Sequence, residues 1–290
     1  LSFIGLKEHM TRVGPAGWSY DDWRDIVYVR GIRIKPLEWI SALFDAVEVN
    51  VTFYRLVSES MVVSWCEQVE ANPNFMFTVK AWQKFTHENA DTLEPVEVSQ
   101  FCKALQAFVK CGRLGAVLLQ FPWGFRRERK NRLRLARLVE LFSGYPLAVE
   151  FRHDSWNVSA VHREFTSRDI AFCNIDQPLF EGSLPPTEIV TSNLAYIRLH
   201  GRNAKNWFRD GAGRDQRYDY LYSEEEIQFW VEKAKRIAQR AENVFIITNN
   251  HYRGQAVVNA LEIQHALKIK RVQVSQSLIE HYPRLERLLR

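Results

Sequence analysis

The hydrophobic residues of this chain follow two alternating patterns along the sequence. Short apolar runs, rich in β-branched residues, are typical of strands buried on both faces. Longer stretches between them have apolar residues three or four positions apart, which is typical of amphipathic helices. The short runs, and so the predicted strands, are residues 12–14, 46–50, 75–80, 116–121, 147–151, 171–175, 195–200 and 244–248.

The helical stretches carry recognisable start and stop signals. Residues 97–111 are followed by Gly112, a typical helix stop. Residues 223–240 begin with Ser223 and Glu226, the pattern of a capping box. Two further helices are predicted at 129–142 and 256–267.

Strand followed by helix, about eight times in succession, predicts an α/β fold of the (β/α)8 TIM-type barrel class. The alternative is a doubly wound open sheet, but no Gly-x-Gly-x-x-Gly motif follows the first strand. No linker rich in Gly, Ser or Pro divides the chain. We therefore predict a single barrel domain over residues 12–268. A leader at 1–11 precedes it, and a C-terminal helical extension at 269–290 is expected to pack on it.

Composition narrows the class of protein further. The 290 residues are 46% hydrophobic and 25% charged, which excludes a disordered chain, a collagen and a coiled coil. No apolar run approaches a membrane span, and the start does not resemble a signal peptide. Four scattered cysteines indicate neither a disulfide framework nor a zinc ribbon, and favour the cytoplasm. The net charge of +5 indicates a mild preference for anions.

Every predicted strand ends in or next to a polar or ionisable residue. In a barrel these ends form the mouth, where the chemistry takes place. Burying charged groups is costly unless they are paired, so we interpret the whole set as a functional pocket rather than as eight separate strand caps. The polar candidates are Glu48, Asn50, Lys80, Gln120, Glu150, Arg152, Asp176, Arg198, His200 and Asn249, and the aromatic walls are Trp18, Tyr20, Tyr54 and Trp156.

Two carboxylates in this set suggest proton transfer. Residues two apart on a strand point to the same side, so Glu48 and Glu150 can both face the mouth. Such a pair fits general acid–base catalysis, with His200 assisting. A carboxylate beside an arginine is also an ordinary ion pair, and that alternative stays open for both residues.

The cations of the same set argue against a metal. Lys80, Arg152 and Arg198 fit a phosphate, a carboxylate or a nucleic-acid backbone better than a divalent ion. We therefore predict no resident metal and no organic cofactor. The less favoured alternative is a divalent metal on Glu48, Glu150, Asp176 and His200.

Basic residues are densest at positions 126–137. We interpret this patch as a solvated helix face, with nucleic-acid binding as the alternative. A second group of basic and aromatic residues, at 202–220, fits either single-strand stacking or a long loop over the mouth.

Seven ordered motifs carry a family resemblance. They are Gly17-Trp18-Ser19-Tyr20, Val47-Glu48-Val49-Asn50, Phe77-Thr78-Val79-Lys80, Leu119-Gln120-Phe121-Pro122, Val149-Glu150-Phe151-Arg152-His153, Tyr196-Ile197-Arg198-Leu199-His200-Gly201 and Asn249-Asn250. Together they resemble the domain of unknown function 72 family, also called YecE-like, over about residues 13–261. The resemblance implies a TIM-type barrel of unassigned activity, with a distant likeness to zinc apurinic endonucleases of the endonuclease IV type. This ring has only His200 as a histidine ligand, which argues against a three-zinc mechanism.

These observations favour an enzyme of hydrolase or lyase type that acts on a small anionic, phosphorylated or sugar-like ligand. Lys80, Arg152 and Arg198 are expected to bind its charge, with Glu48 and Glu150 transferring protons. The alternatives are a nucleic-acid-binding protein or endonuclease IV-like nuclease, and a non-catalytic binding module. We expect a cytoplasmic monomer or weak homodimer that does not engage membranes.

Overall fold

The computed structural model describes residues 10–29, 35–88, 93–207, 209, 211, 213–269 and 274–289. Nine residues of the predicted leader lie outside this part of the chain. Residues 10 and 11 belong instead to the first strand, which begins at Met10 rather than at residue 12.

Nine parallel strands form the centre of the described structure. They are β1 (Met10–Pro15), β2 (Ala46–Val49), β3 (Met76–Lys80), β4 (Leu114–Gln120), β5 (Leu147–Glu150), β6 (Ala171–Phe172), β7 (Asn174–Asp176), β8 (Leu194–Leu199) and β9 (Asn243–Thr248). One sheet has the order β1-β9-β8-β7 and the other β2-β3-β4-β5-β6. The predicted α/β class with parallel strands is confirmed.

The two sheets contact each other at both pairs of edges. The run predicted as one strand at 171–175 is divided at Cys173: β6 pairs with β5, and β7 pairs with β8 of the other sheet. At the opposite edges a parallel bridge joins Ala16 and Glu48. Gly14 permits this approach, because a Cβ there would lie 1.8 Å from the Ala46 carbonyl oxygen.

Helices cover the strands on the outside. Their bounds are α1 (Pro36–Leu43), α2 (Val51–Tyr54), α3 (Glu59–Gln68), α4 (Gln83–Thr86), α5 (Pro95–Lys110), α6 (Arg129–Leu141), α7 (Ser159–Ser167), α8 (Ala204–Trp207), α9 (Arg214–Arg217), α10 (Glu224–Ala238), α11 (Gln255–Ala266) and α12 (Gln276–His281). None of the described helices is long and apolar enough to cross a membrane.

Helix ends follow the predicted capping chemistry. The Ser223 hydroxyl accepts a hydrogen bond from the backbone N–H of Glu226 at 3.3 Å, and the Glu226 carboxylate accepts one from the Ser223 N–H at 2.9 Å. This capping box starts α10 as expected. Short 3-10 helices lie at Asp21–Trp23, Asp154–Trp156, Tyr252–Gly254 and Pro283–Leu289.

The C-terminal segment packs on α11 through buried groups. Arg284 and Arg287 both donate to one oxygen of Glu262, at 2.7 and 2.8 Å, and this carboxylate is almost fully buried. Leu285 is fully buried in the same segment. These contacts bring the 3-10 helix Pro283–Leu289 against the strand-and-helix core.

Candidate active site

A buried arginine joins the carboxyl ends of three strands. One terminal nitrogen of Arg198, on β8, donates to Glu48 Oε1 on β2 at 2.5 Å. The other donates to Glu150 Oε2 on β5 at 2.6 Å. All three side chains are 0–1% exposed. Arg198 therefore pairs with both predicted catalytic carboxylates, and it links the two sheets by charge.

A second arginine completes this charge network. Arg152 Nε lies 2.8 Å from Glu150 Oε1, and its terminal nitrogens face Gln177 Oε1 at 3.2 Å and His200 Nδ1 at 3.3 Å. We use "charge network" below for Glu48, Glu150, Arg152, Arg198 and His200. Its two carboxylates are balanced by two guanidinium groups, which is the condition for burying such charges.

The tautomer of His200 follows from its neighbours. Asn249 donates its side-chain N–H to His200 Nδ1 at 3.0 Å, so the ring proton lies on Nε2. Nε2 is 3.1 Å from Glu150 Oε1. Burial, and then the Arg152 charge, lower the pKa of His200 to about 3. The imidazole is therefore neutral at physiological pH.

The acidity of Glu150 is set by the same contacts. Burial alone would raise its pKa, but Arg198, His200 and Arg152 outweigh burial and bring the pKa well below its ordinary value. Both oxygens face fixed nitrogen donors. Glu150 thus stays ionised and holds the arginines in place. An ionised carboxylate of this kind is poorly suited to act as a general acid.

Glu48 also contacts buried hydroxyl-bearing residues that were not predicted as part of the site. Tyr196, on β8, donates its hydroxyl proton toward Glu48 Oε2 at 3.0 Å and lies 2.6 Å from Thr78 Oγ1. Tyr196 and Thr78 are both fully buried. Because Arg198 and Tyr196 occupy both oxygens of Glu48, this carboxylate orients Arg198.

Lys80 differs from the arginines and glutamates of the site, because it forms no ion pair with another described residue. It ends β3 and is half-buried, and its Nζ lies 3.8 Å from the centre of the Phe53 ring. In the described part of the chain its ammonium makes no hydrogen bond and no ion pair. Loss of water contacts, and then the charge of Arg198, lower the pKa of Lys80 to about 7.

Two aromatic rings cover the charge network. The Trp207 ring lies 5.2 Å from Arg152 Cζ and 6.4 Å from the His200 ring. Tyr218 contacts Trp207 edge-on at 5.7 Å and lies 6.4 Å from His200. Both rings come from the 202–220 segment, which here fits the expected loop over the strand ends. A guanidinium beside an indole face gains a cation–π interaction.

The predicted aromatic walls lie partly in a separate cavity. Trp18, Tyr20, Asn50 and Tyr54 line a cavity of about 490 Å³ together with Trp65. Within it the Trp18 ring meets Trp65 edge-on at 5.3 Å. These four predicted residues are thus together, beside the carboxyl ends of β1 and β2.

Besides Lys80 and Asn249, three predicted residues belong to neither the charge network nor this cavity. Trp156 is 1% exposed, its indole N–H donates to the Phe125 carbonyl at 2.6 Å, and its ring stacks on Phe151 at 4.4 Å. It is a core residue and does not line the site. Asp176 pairs with Arg202 at 2.9 Å. Gln120 donates to the Phe121 carbonyl at 2.8 Å.

The structure gives no support to the alternative metal site. Within the described residues, no group of three or more His, Cys, Asp or Glu side chains could hold a metal ion. The four predicted ligands have other partners: Glu48 and Glu150 pair with Arg198, His200 contacts Glu150, and Asp176 pairs with Arg202.

Four residues of this site were not predicted from the sequence: Phe53, Gln177, Tyr196 and Trp207. The strand-end rule reaches only the last residue or two of each strand. Tyr196 lies two residues before Arg198 and points to the same side, so the alternation of strand residues was the signal for it. Nothing in the sequence places Trp207 over Arg152.

Fold and site together define an α/β protein with a neutralised buried charge network at the ends of its parallel strands, next to Lys80, which forms no ion pair within the described residues. The pattern that describes the "Protein of unknown function DUF72" family matches residues 12–284. The chain belongs to this family, as the resemblance implied.

Relatives agree over nearly the whole chain. The UPF0759 protein YunF of Bacillus subtilis (strain 168) is 28% identical over 279 residues, which is 90% of this chain and 96% of that protein. The crystal structure of a DUF72 family protein from Thermotoga maritima MSB8 is similar, with a TM-score of 0.79 and 34% identity, covering 90% of this chain and 100% of that one. A DUF72 family protein from Enterococcus faecalis V583 gives a TM-score of 0.79 at 25% identity, covering 92% and 99%.

Proposed function

We propose that the two sheets form one closed (β/α)8 barrel over the predicted residues 12–268, extended at its start to Met10 by the observed first strand, with 269–290 as an extension. Two contacts support closure: the Ala16–Glu48 bridge at one pair of edges, and the continuous 171–176 segment shared between the sheets at the other. The carboxyl ends of all strands then surround one mouth, with the charge network at its base.

We propose that the protein is an enzyme, of hydrolase or lyase type, that acts on a small anionic, phosphorylated or sugar-like ligand at this mouth. One observation carries the proposal: Lys80 is a half-buried amine with no hydrogen bond or ion pair in the described part of the chain, beside a network in which every carboxylate is already neutralised. A lysine left without a counter-ion in such a place is suited to an incoming anion.

The network suggests a division of roles that differs from the initial expectation. Arg198 has both terminal nitrogens on carboxylates, so the ligand charge falls to Lys80 and Arg152. Glu48 and Glu150 fix the arginines. Proton transfer near neutral pH then falls to Lys80, whose pKa lies at about 7.

The test is a binding screen with inorganic phosphate, sugar phosphates, small carboxylates and neutral sugars, measured by thermal shift and calorimetry. Phosphate-bearing compounds are expected to stabilise the protein, and Lys80→Met should remove the effect. Lys84→Met is the matched control, because Lys84 pairs with Glu97 at 2.7 Å outside the network. The proposal fails if no anion binds at ~10 mM, a concentration that detects even millimolar affinity, or if binding survives in Lys80→Met.

A second candidate function rests on the basic face of α6. Arg129, Lys130, Arg132 and Arg137 are exposed, and no ion pair involves them in the described part of the chain. Nucleic acid would be held there through phosphates, with affinity that falls steeply as salt rises. Anisotropy with labelled DNA and RNA at ~50 and ~200 mM salt tests this, and Arg129→Glu with Arg137→Glu should abolish binding. Weak binding that does not respond to salt would reject it.

We further propose a cytoplasmic protein that is a monomer or a weak homodimer and needs no organic cofactor. The four cysteines are all free, which suits a reducing compartment. Size-exclusion chromatography with light scattering at several concentrations tests the oligomeric state, and a tight tetramer would contradict it.

A further inference from the structure

We propose that Lys80 is a covalent nucleophile that forms an imine with the carbonyl group of its substrate. This rests on the proposed function and narrows it: the substrate is an anionic aldehyde or ketone, and the reaction is of lyase type. No other residue would need to carry the covalent step, and no cofactor would be required.

Lys80 lies near the charge network but forms no ion pair with it in the described part of the chain. The carboxylate oxygens of Glu48 and Glu150 contact Arg198, Arg152 and Tyr196. Among the described residues, neither of these carboxylates forms an ion pair with Lys80. Buried or half-buried lysines are ordinarily paired, because an unpaired ammonium loses hydration without compensation.

The arginines that neutralise the carboxylates also bias Lys80 toward its neutral form. Arg198 is fixed by two carboxylates and Arg152 by one, so these cations cannot move away from the amine. Loss of water contacts, and then the charges of Arg198 and Arg152, lower the pKa of Lys80, and the charges of Glu48 and Glu150 oppose them only in part, so that the pKa falls to about 7. About half of the amine is then unprotonated at pH 7, against roughly 1 in 3000 for an ordinary lysine.

The apolar contact on the other side also favours this role. Lys80 Nζ lies 3.8 Å from the centre of the Phe53 ring, which meets the His87 ring edge-on at 4.8 Å. A ring face stabilises a cation without fixing it by a directed hydrogen bond. The amine therefore keeps its lone pair free when it is neutral, and the positively charged imine that follows is stabilised by the same face.

The covalent step balances with water as its product. The Nζ lone pair attacks the carbonyl carbon, a C–N bond forms as the C=O π bond breaks, and one proton passes from Nζ to the oxygen. The resulting carbinolamine takes up a second proton from solvent, loses its oxygen as water and becomes a protonated imine. The imine withdraws electrons from the neighbouring carbon, which is what bond cleavage next to a carbonyl needs. Arg152 is the cation available for the anionic end of the substrate.

The experiment is reductive trapping of the wild-type protein. Glyceraldehyde 3-phosphate at near-stoichiometric concentration is incubated with the protein and cyanoborohydride at pH 7, and the adducts are located by peptide mass spectrometry. Hydride converts the C=N bond to a stable secondary amine. Lys80 is expected to be modified at least about ten times faster than Lys84, since reactivity follows the fraction of neutral amine. Inorganic phosphate should slow the reaction.

Controls separate this inference from the proposed function. Lys80→Arg should eliminate the adduct while keeping a cation, and Lys84→Met should not. The rate at Lys80 should reach half its maximum near pH 7. Anion binding that is lost in Lys80→Met but gives no trapped adduct would overturn the imine and leave the anionic-ligand enzyme standing. An adduct spread evenly over exposed lysines also overturns the imine, and absence of both binding and adduct overturns both.

Discussion

Arg198 is the single residue on which the buried charges depend. Replacing it with methionine would leave Glu48 and Glu150 without their shared counter-ion in a fully buried place. We expect Arg198→Met to lower the free energy of unfolding by about 3–5 kcal/mol, the usual cost of leaving a buried charge unpaired. Urea denaturation followed by tryptophan fluorescence measures this change.

The matched control is Arg24→Met. Arg24 pairs with Asp21 at 2.8 Å, but both side chains are more than three-quarters exposed. An exposed pair of this kind contributes little, so we expect a change below about 0.5 kcal/mol. Equal small effects at Arg24 and Arg198 would mean that Arg198 does not neutralise the carboxylates in solution.

Lys80 should show the opposite sign of effect. Its pKa is about 7 in the folded protein and near 10.5 in the unfolded chain. The unfolded state therefore binds a proton more tightly, and the folded state is penalised at and below pH 7, less so as pH rises toward 10.5. We expect Lys80→Met to stabilise the protein by about 0.5–2 kcal/mol at pH 6, after allowance for its partial exposure, and by less at pH 9.

The measurement is the melting temperature of both proteins at pH 6 and pH 9. Lys84→Met, which loses its ion pair with Glu97, should show no gain at either pH. A destabilised Lys80→Met would identify Lys80 as a structural residue and would weaken the proposed function. A residue whose removal stabilises the fold is instead typical of an active site.

His200 makes the stability of the protein sensitive to acid. Its folded pKa is about 3, against about 6.5 in the unfolded chain. Between these values the unfolded chain binds more protons, so stability is lost as pH falls from 6.5 toward 3. The loss attributable to His200 between pH 7 and pH 5 is about 2 kcal/mol, from ~1.5 pH units at ~1.4 kcal/mol each.

Urea denaturation of the wild-type protein and of His200→Gln at pH 7 and pH 5 checks this. The fall in unfolding free energy between the two pH values should be smaller in the variant. Other groups titrate alike in both proteins and cancel. An identical fall would show that His200 is protonated in the native state at pH 5.

Residue identities at the site were largely predictable from sequence, but their roles were not. The strand-end rule found the members of the charge network and Lys80. Whether Arg198 binds a ligand or a neighbouring carboxylate depends on distances across the sheets, which a linear pattern does not contain. Trp156 illustrates the same limit: it follows a strand end, yet its ring stacks inward on Phe151.

At the scale of elements, strands and long helices were predictable and short helices were not. Predicted and observed strand bounds differ mostly by one or two residues. None of α1, α3 and α7 was predicted from the sequence. In α7 only Val161 and Phe165 are buried, and in α3 only Val62, so their apolar periodicity is too short to register. The division at Cys173 was also missed, although the polar Asn174 interrupts the apolar run directly after it.

The C-terminal segment gives a prediction at the same scale. Leu285 is fully buried and Leu289 is 55% exposed, four residues apart in one 3-10 helix. We expect Leu285→Ala to cost about 2–4 kcal/mol of unfolding free energy through the cavity it leaves. Leu289→Ala should cost less than about 0.5 kcal/mol. Denaturant titration of both variants measures their unfolding free energies. Equal effects would mean that this segment does not dock on α11.

For the whole molecule, the proposed barrel closure predicts one cooperative unit. Arg198 carries charge contacts from β8 to β2 and β5, and so from one sheet to the other. Neither sheet should then open without breaking this buried network. Native-state hydrogen exchange measures local opening free energies, and amides of β3 and β8 should exchange only through global unfolding, with equal free energies.

Arg198→Met sharpens that measurement. If the sheets form one closed unit, the variant lowers the opening free energies of β3 and β8 by the same amount, since both report global unfolding. If the sheets are separable, the two values differ already in the wild-type protein, and the variant shifts them unequally. Unequal shifts in these opening free energies would count against a closed barrel. The site at the strand ends would then lie between two sheets that open independently. A mouth built to hold an anion between Lys80 and Arg152 requires the first result, because β3 and β5 must stay in register with β8 to keep both cations on one ligand.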